Sequence, residues 1–599
     1  MPTGRSKDGA LFRRRFIALG LSIVLAVSAG LLFLQYGAAD GLDPMDFVRS
    51  ALILGSTFWL AWGAVQGLWG LAWKQPAYPG DSAPLTTRTA ILVPVYNEDP
   101  IVTYARIAAM DASLEALGQT HAFDFAILSD TRNEDVAAAE RHWLAHLITD
   151  RNAEGRIFYR RRITNTGKKA GNVEDFFTRS GAAYDFALIL DADSLMEGAT
   201  IVEMVRRMEA EPTMGLLQSL PKVIRASSRF GRSQQFSASF FSPIFARGNA
   251  LMAGRTGPFW GHNAIVRVQA FAASCGLPAL AGQPPFGGHI LSHDYVEAAL
   301  LARAGWLVRL DPDLEGSYEE GPENIIDFAK RDRRWCQGNL QHSRLLAAPG
   351  LKPWSRYVFL QGILSYIAPL LWLAFIVASI LAPLFVPAPD YFPEPYMLFP
   401  VFPSDQASKA ISLAVGVFGL LLLPKLMIAT EAAVTRRARG FGGAFAALIS
   451  TLWELVLSSL IAPLMLMFQT RSVLQVIFRM DGGWPPNNRG DGTLTVLEAW
   501  MASRWIVWTG LIGLAAAYWL APALVLWLLP VALPMILAPF LISWTSRKST
   551  GVLMRVPSEL HIPKVVEAHD HILATWQAVA EVEAREVQSV RAAPAKPAA

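Results

Sequence analysis

The chain has 599 residues, of which 52% are hydrophobic and 17% charged, and its mean hydropathy is +0.30. This is too apolar for an ordinary soluble protein and too charged for membrane helices alone, so both parts are expected, and disordered or fibrous classes are excluded. The 53 basic and 49 acidic residues leave a formal charge of +4, too near balance for a nucleic-acid partner. Two cysteines, Cys275 and Cys336, supply neither a disulfide framework nor a four-ligand zinc site.

Residues 1–85 open the chain with two apolar runs, Phe16 to Ala38 and Phe47 to Trp73. Each provides the roughly 20 residues that a helix needs to cross a bilayer. The first is longer than a secretory signal core of about 7 to 15 residues and is expected to remain as an anchor. Arg13, Arg14 and Arg15 precede it, whereas the joint between the runs carries Asp40, Asp43 and Asp46 and no base. The positive-inside rule then places the N-terminus, and whatever follows Trp73, in the cytosol.

Residues 86–346 have the composition of a globular domain. Short β-rich runs, Thr89 to Tyr96, Phe123 to Leu128, Arg156 to Arg161, Phe186 to Leu190 and Met214 to Gln218, alternate with helix-length stretches. That alternation predicts a mostly parallel sheet with crossover helices, with ligands at the carboxyl ends of the strands. Apolar blocks resume in residues 347–546: Tyr357 to Val386, Ile411 to Met427, Ala444 to Phe468, Trp505 to Leu520 and Leu524 to Trp544. Bases flank Ala444 to Phe468 on both sides, and Glu454 and Pro463 lie inside it. An interfacial segment or re-entrant helix pair is therefore expected there, beside six crossings. Residues 547–599 form a cytosolic tail, with disorder expected from Ala592.

Three strand ends carry carboxylates: Val93-Pro94-Val95-Tyr96-Asn97-Glu98, Leu128-Ser129-Asp130 and Leu190-Asp191-Ala192-Asp193. One acid after a strand is ordinary helix capping. Two aspartates one residue apart are unfavourable without a cation, and Mg2+ or Mn2+ on Asp191 and Asp193 would also take the oxygens of a diphosphate. Thr166-Gly167-Lys168-Lys169-Ala170-Gly171-Asn172 lacks the Walker A pattern. It is a cationic turn at a helix start, open to an anionic nucleotide through Lys169 or else simply solvated. His289 and His293 stand four apart, but Pro-Pro-Phe-Gly-Gly upstream puts His289 in a loop and the glutamate of a zincin helix is missing.

Val93 to Glu98, Asp130, Lys169 to Asn172 and Asp191 to Asp193 resemble the nucleotide-sugar half of a processive family 2 glycosyltransferase, the inverting superfamily of cellulose and hyaluronan synthases. Phe259-Trp260-Gly261-His262-Asn263, Ser292-His293-Asp294 and Arg331-Asp332-Arg333-Arg334-Trp335 resemble its acceptor-side half, with Arg331 where the superfamily keeps glutamine. The full spelling is most similar to the branch that makes osmoregulated periplasmic glucans. The resemblance implies a GT-A type, Rossmann-like α/β domain inserted in an all-α polytopic domain of the bacterial inner membrane. UDP-glucose would be the donor and a growing β-1,2-linked glucan the acceptor, with periplasmic glucan-processing proteins as further partners. On that reading Pro94, Tyr96, Glu98, Asp130, Lys169, Asp191, Asp193 and Arg334 bind the nucleotide sugar. Trp260, Gly261, His262, His293 and Trp335 bind the acceptor.

Inverting transfer needs one positioned carboxylate to take the acceptor proton, and Asp294 is the candidate, although a charge partner for its own helix would look the same in sequence. Trp335 can pack on a sugar face or serve as a helix-core residue. Residues 480–492, rich in Gly and Pro, form a cytosolic loop that resembles the gating loop of processive synthases or is a plain connector. Two rival functions remain: single transfer to a lipid carrier, and a nucleotide-binding transporter or sensor.

Overall fold

The computed structural model describes residues 5–37, 42–73, 84–385, 407–480 and 492–592. Helices α1 (Arg5–Gly37) and α2 (Pro44–Ala72) form an antiparallel pair at the start. Asp43 caps α2 by accepting from the Asp46 N–H at 2.9 Å, Asp46 reciprocates, and Pro44 supplies the fixed φ suited to a first helical position.

In the soluble lobe, strands and helices alternate. The order is β1 (Thr89–Val95), α3 (Pro100–Glu115), β2 (Phe123–Ser129), α4 (Glu134–Arg151), β3 (Ile157–Arg161), α5 (Lys168–Ser180), β4 (Phe186–Ile189), β5 (Leu195–Met196), α6 (Gly198–Ala210), β6 (Met214–Gln218) and β7 (Lys222–Ile224). There follow α7 (Arg229–Phe240), α8 (Ser242–Ala253), β8 (Ala264–Arg267), α9 (Val268–Ser274), α10 (His293–Arg303), β9 (Leu307–Leu310), β10 (Ser317–Glu320) and α11 (Ile325–Gln341).

Seven strands make one sheet in the order β3-β2-β1-β4-β8-β6-β9, parallel except that β8 runs antiparallel to both neighbours. All five β-rich runs singled out in the sequence are strands of this sheet. Alternate residues of β1 face opposite layers. Ile91 and Val93 pack with α3, α4 and α6, whereas Ala90 and Leu92 pack with α5, α9 and α10. A smaller sheet has the order β5-β10-β7, with β10 antiparallel to β5 and parallel to β7.

Helices α12 (Pro353–Leu381), α13 (Ala407–Val434), α14 (Ala444–Ile477), α15 (Val496–Leu520), α16 (Val525–Ile536) and α17 (Ala538–Ser546) follow. Among the described residues five helices, α1, α2, α12, α13 and α14, are long and apolar enough to cross a membrane. The turn Pro522–Leu524 with α16 also meets that test together with α17, across a bend of 58°. The segment around Glu454 is one unbroken helix of 34 residues, not a helix pair. Its carboxylate accepts from Lys425 of α13 at 2.7 and 2.9 Å, so the two charges meet inside the helix bundle. The bend lies further on, between Ile536 and Ala538.

After the short α18 (Pro557–Leu560), the tail forms α19 (Lys564–Ala592), which is part of the lobe. Val565 and Val566 join the α3 core layer, and Trp576 stacks on Trp143 with ring centroids 5.7 Å apart. The expected disorder beyond Ala592 and the loop 481–491 lie outside the described residues.

Candidate active site

Parallel pairing in register, Val95 with Ser129, brings the ends of β1 and β2 side by side. Asn97 adopts a left-handed turn at φ 56°, and Glu98 accepts from the Tyr96 N–H. Both oxygens of Asp130 accept from Arg162 at 2.7 Å, and the same guanidinium donates to the carbonyls of Thr166 and Lys168. Pro94, Tyr96, Glu98 and Asp130 thus form one rim of the sheet, and Asp130 is bound into the turn that opens α5.

The neighbouring rim opens on a cavity of about 690 Å3. Lys169, Asp191, Asp193, Trp260, Gly261, His262, His293, Asp294, Arg334 and Trp335 all line it. Ten of the fourteen residues singled out in the sequence therefore share one space. Lys169 donates to Asp191 and, at 2.7 Å, to the Gly261 carbonyl, joining the start of α5 to the end of β4. Burial alone would raise the Asp191 carboxyl, but Lys169 and then His262 and Arg331 hold it well below the usual carboxylate range. Gly261 has φ +84°, a conformation open to glycine, and a side chain there would lie 3.5 Å from Asp294.

Asp294 lies in the first turn of α10, behind its N-cap Ser292. Burial lifts the Asp294 carboxyl above its ordinary value, with Glu297 adding to the rise and His293 opposing it. His293 is held by Glu297, its Nδ1 3.1 Å from Oε2. Helix α11 packs so closely on this turn that a Cβ at Gly338 would come 2.1 Å from the Ser292 Oγ. Its Arg334 and Trp335 reach the cavity, and the Arg331 guanidinium lies 4.4 Å above the Trp335 ring. One indole face is therefore taken by protein.

The sequence did not single out Glu319, which β10 carries into the cavity. Burial lifts its carboxyl, and Asp193 and Asp191 add to the rise against His262 and Arg331. The cavity also runs on to Trp59 of α2 and to Gln361, Gly362, Ser365 and Tyr366 of α12. Asp332 ties α11 to α12 and α14, accepting from the Tyr366 hydroxyl at 3.0 Å and from Gln469 of α14 at 3.1 Å. Both borders of the loop 481–491 are held at α11, where Arg333 donates to the Met480 carbonyl at 2.7 Å and Asn324 to that of Gly492 at 3.0 Å.

The two carboxylates Asp191 and Asp193 at one lip are oxygen donors suited to a hard divalent cation. Among the described residues no three His, Cys, Asp or Glu side chains converge as a metal cage. A cation held there would take its other ligands from substrate oxygens and water, as Mg2+ commonly does.

Two family descriptions match the sequence, glycosyl transferase family 2 over residues 90–274 and glycosyl transferase family group 2 over residues 186–424. The glucans biosynthesis glucosyltransferase H of Cereibacter sphaeroides is 64% identical over 579 residues, which cover 96% of this chain and 97% of that one. The chain belongs to the glucans biosynthesis glucosyltransferase H family. Its relative of the same description from Vibrio cholerae is 39% identical over 93% of this chain and 78% of that one. A solved mannosyltransferase from Pyrobaculum calidifontis, in complex with GDP-Man and Mn2+, aligns with 68% of this chain and 99% of that one, at 15% identity and a TM-score of 0.42. Membership in the glucosyltransferase H family agrees with the α/β GT-A fold and with the apolar helices around it.

Proposed function

We propose that the chain polymerises glucose from UDP-glucose, with inversion, into the β-1,2-linked backbone of periplasmic glucans. It would work from the cytosolic side of the inner membrane and couple elongation to export. The observation that carries this reading is the single cavity that joins Asp191, Asp193 and Lys169 to Asp294 and then continues to Gln361 and Ser365 of α12.

In this mechanism the nucleotide end of the donor lies along the rim of β1 and β2, and its diphosphate meets Lys169 and Arg334. Asp191 and Asp193 would hold a Mg2+ or Mn2+, which would supply charge stabilisation for the departing diphosphate. Asp294 accepts the proton of the acceptor hydroxyl as that oxygen attacks the anomeric carbon from the side opposite UDP. Its raised carboxyl makes it a stronger base than an exposed aspartate. Trp260 and Trp335 present apolar faces to the acceptor sugar, and His293 borders the base. Polar groups of α12 give the chain a path on which its hydroxyls stay paired, which hydrocarbon does not offer. Glucan-processing proteins of the periplasm would receive the product.

The test is incubation of the detergent-purified chain with radiolabelled UDP-glucose and Mg2+, followed by linkage and size analysis. Long β-1,2-linked glucan is expected. A single glucose on a lipid carrier would replace the polymerase reading, and binding without release of UDP would leave a transporter or sensor.

A further inference from the structure

Behind the cavity wall lies a buried polar hub that no catalytic role has absorbed. Asn263 is fully buried, in a left-handed conformation at φ 49°. Its Nδ2 donates to the Ser317 hydroxyl at 2.8 Å and to the Tyr318 carbonyl at 3.3 Å. The carbonyl acceptor fixes which way the amide points, because only an N–H can face it. Asn263 Oδ1 is then an acceptor. It takes the Ser194 hydroxyl at 2.5 Å, and Ser194 Oγ in turn accepts the Asp191 N–H at 3.0 Å.

The same Oδ1 lies 3.2 Å from Nδ1 of His262, so that ring nitrogen carries the hydrogen. The other ring nitrogen, Nε2, stands 3.5 Å from Oε2 of Glu319. The ring is therefore bracketed by Asn263 on one edge and Glu319 on the other. Strand β10 builds the far side of this arrangement. Pairing with β5 and β7 sets its pleat, so that Ser317 and Glu319 share one face, and Glu320 points away to Arg106 at 2.8 Å and Arg225 at 3.1 Å.

We propose that Glu319 is a positioning residue of the donor site that acts through His262, holding the ring toward the lip where Asp191 and Asp193 receive the diphosphate. This rests on the donor reading given above, since the ring borders the lip that would receive an anionic ligand. The His262 backbone is already fixed from the other side, where Gln218 donates to its carbonyl at 3.0 Å. Without Glu319 the ring would keep only its contact with Asn263 Oδ1 at the opposite edge.

The sign of the effect distinguishes this role from simple charge. A carboxylate near a diphosphate repels it, so removing that charge alone would tighten UDP. Positioning predicts the reverse. The experiment measures the affinity of the full-length, detergent-purified protein for UDP in Mg2+ by calorimetry, in wild type, Glu319→Gln, His262→Ala and the double variant. Glu319→Gln, isosteric and at the cavity surface, should bind UDP about tenfold more weakly, the scale of one charge-assisted contact. In the His262→Ala background the same change should cause no further loss. UDP bound as tightly as by wild type or tighter, or losses that multiply in the double variant, would overturn the proposal. Thermal unfolding of each variant shows that the comparison is between folded proteins. Failure of the glucan-synthesis reading would show separately, as wild type that binds UDP but transfers no glucose.

Discussion

The rim of β1–β2 and the cavity beyond the end of β4 hold their acids in different ways. Asp130 is saturated: Arg162 grips both oxygens, and the two side chains are only 8% and 11% exposed. Asp294 and Glu319 instead sit among other acids and have raised carboxyls. The first rim spends its charge on holding the chain together. The cavity instead gathers Asp294 and Glu319 where burial disfavours their ionised forms, as functional sites do at a cost in stability.

Asp294→Asn should break the comparison most visibly. Losing a general base removes about 10²- to 10⁴-fold of rate, while UDP binding in Mg2+ should survive. Stability should move the other way. A carboxyl raised on folding means that the ionised form costs the folded state something at neutral pH, a cost relieved as pH falls through the raised value. The asparagine variant should therefore melt no lower than wild type. A lower melting temperature, or loss of UDP binding along with rate, would assign Asp294 to the scaffold.

Asp130→Asn tests the other rim and should do the reverse. It leaves the Arg162 guanidinium without its carboxylate in a nearly buried setting, on the order of 3 kcal/mol of stability. The turn at Lys168 should loosen, so UDP affinity falls as a consequence of unfolding or disorder. An Asp130→Asn protein that melts like wild type would show that the ion pair holds nothing together.

The pH profile sharpens the same contrast. Because burial raises the Asp294 carboxyl, kcat should fall on the acid side at a higher pH than an ordinary aspartate of about 3.9 would impose. A rate measured across weakly acidic buffers at saturating UDP-glucose checks this. An acid limb at or below the ordinary value would mean that the base is not Asp294.

Much of this was legible because local signals agreed with the final packing. The apolar runs before Asp130 and Asp191 can be covered from both faces only in a layered sheet, and Asp294 opens a helix that the sequence marks plainly. Strands β5, β7 and β10 gave no such signal. They are two to four residues long, and Glu319 reaches the cavity only because β10 pairs with Leu195 and Lys222, over a hundred residues and nearly a hundred residues away. Glu454 misled for the same reason. A charge inside an apolar run argues against a continuous helix until its partner, Lys425 on another helix, is known.

Trp335 offers the smallest and most local test. It is 41% exposed at the cavity, yet Arg331 lies over its ring at 4.4 Å, in the position where the superfamily keeps glutamine. Two effects then compete in Trp335→Ala. The acceptor loses an apolar face, and Arg331 loses its rest, a cation–π contact of about 1 kcal/mol at an exposed site. Release of Arg331 toward Asp191 and Glu319 would strengthen the positive side of the donor lip, so UDP should bind as well as before or slightly better. The loss should fall on elongation, with product chains becoming shorter and the overall rate dropping by a few-fold. Trp335→Phe, which keeps a ring under Arg331, should recover most of the chain length. Equal damage from both substitutions would mean that the indole itself, rather than a ring beneath Arg331, is what elongation requires.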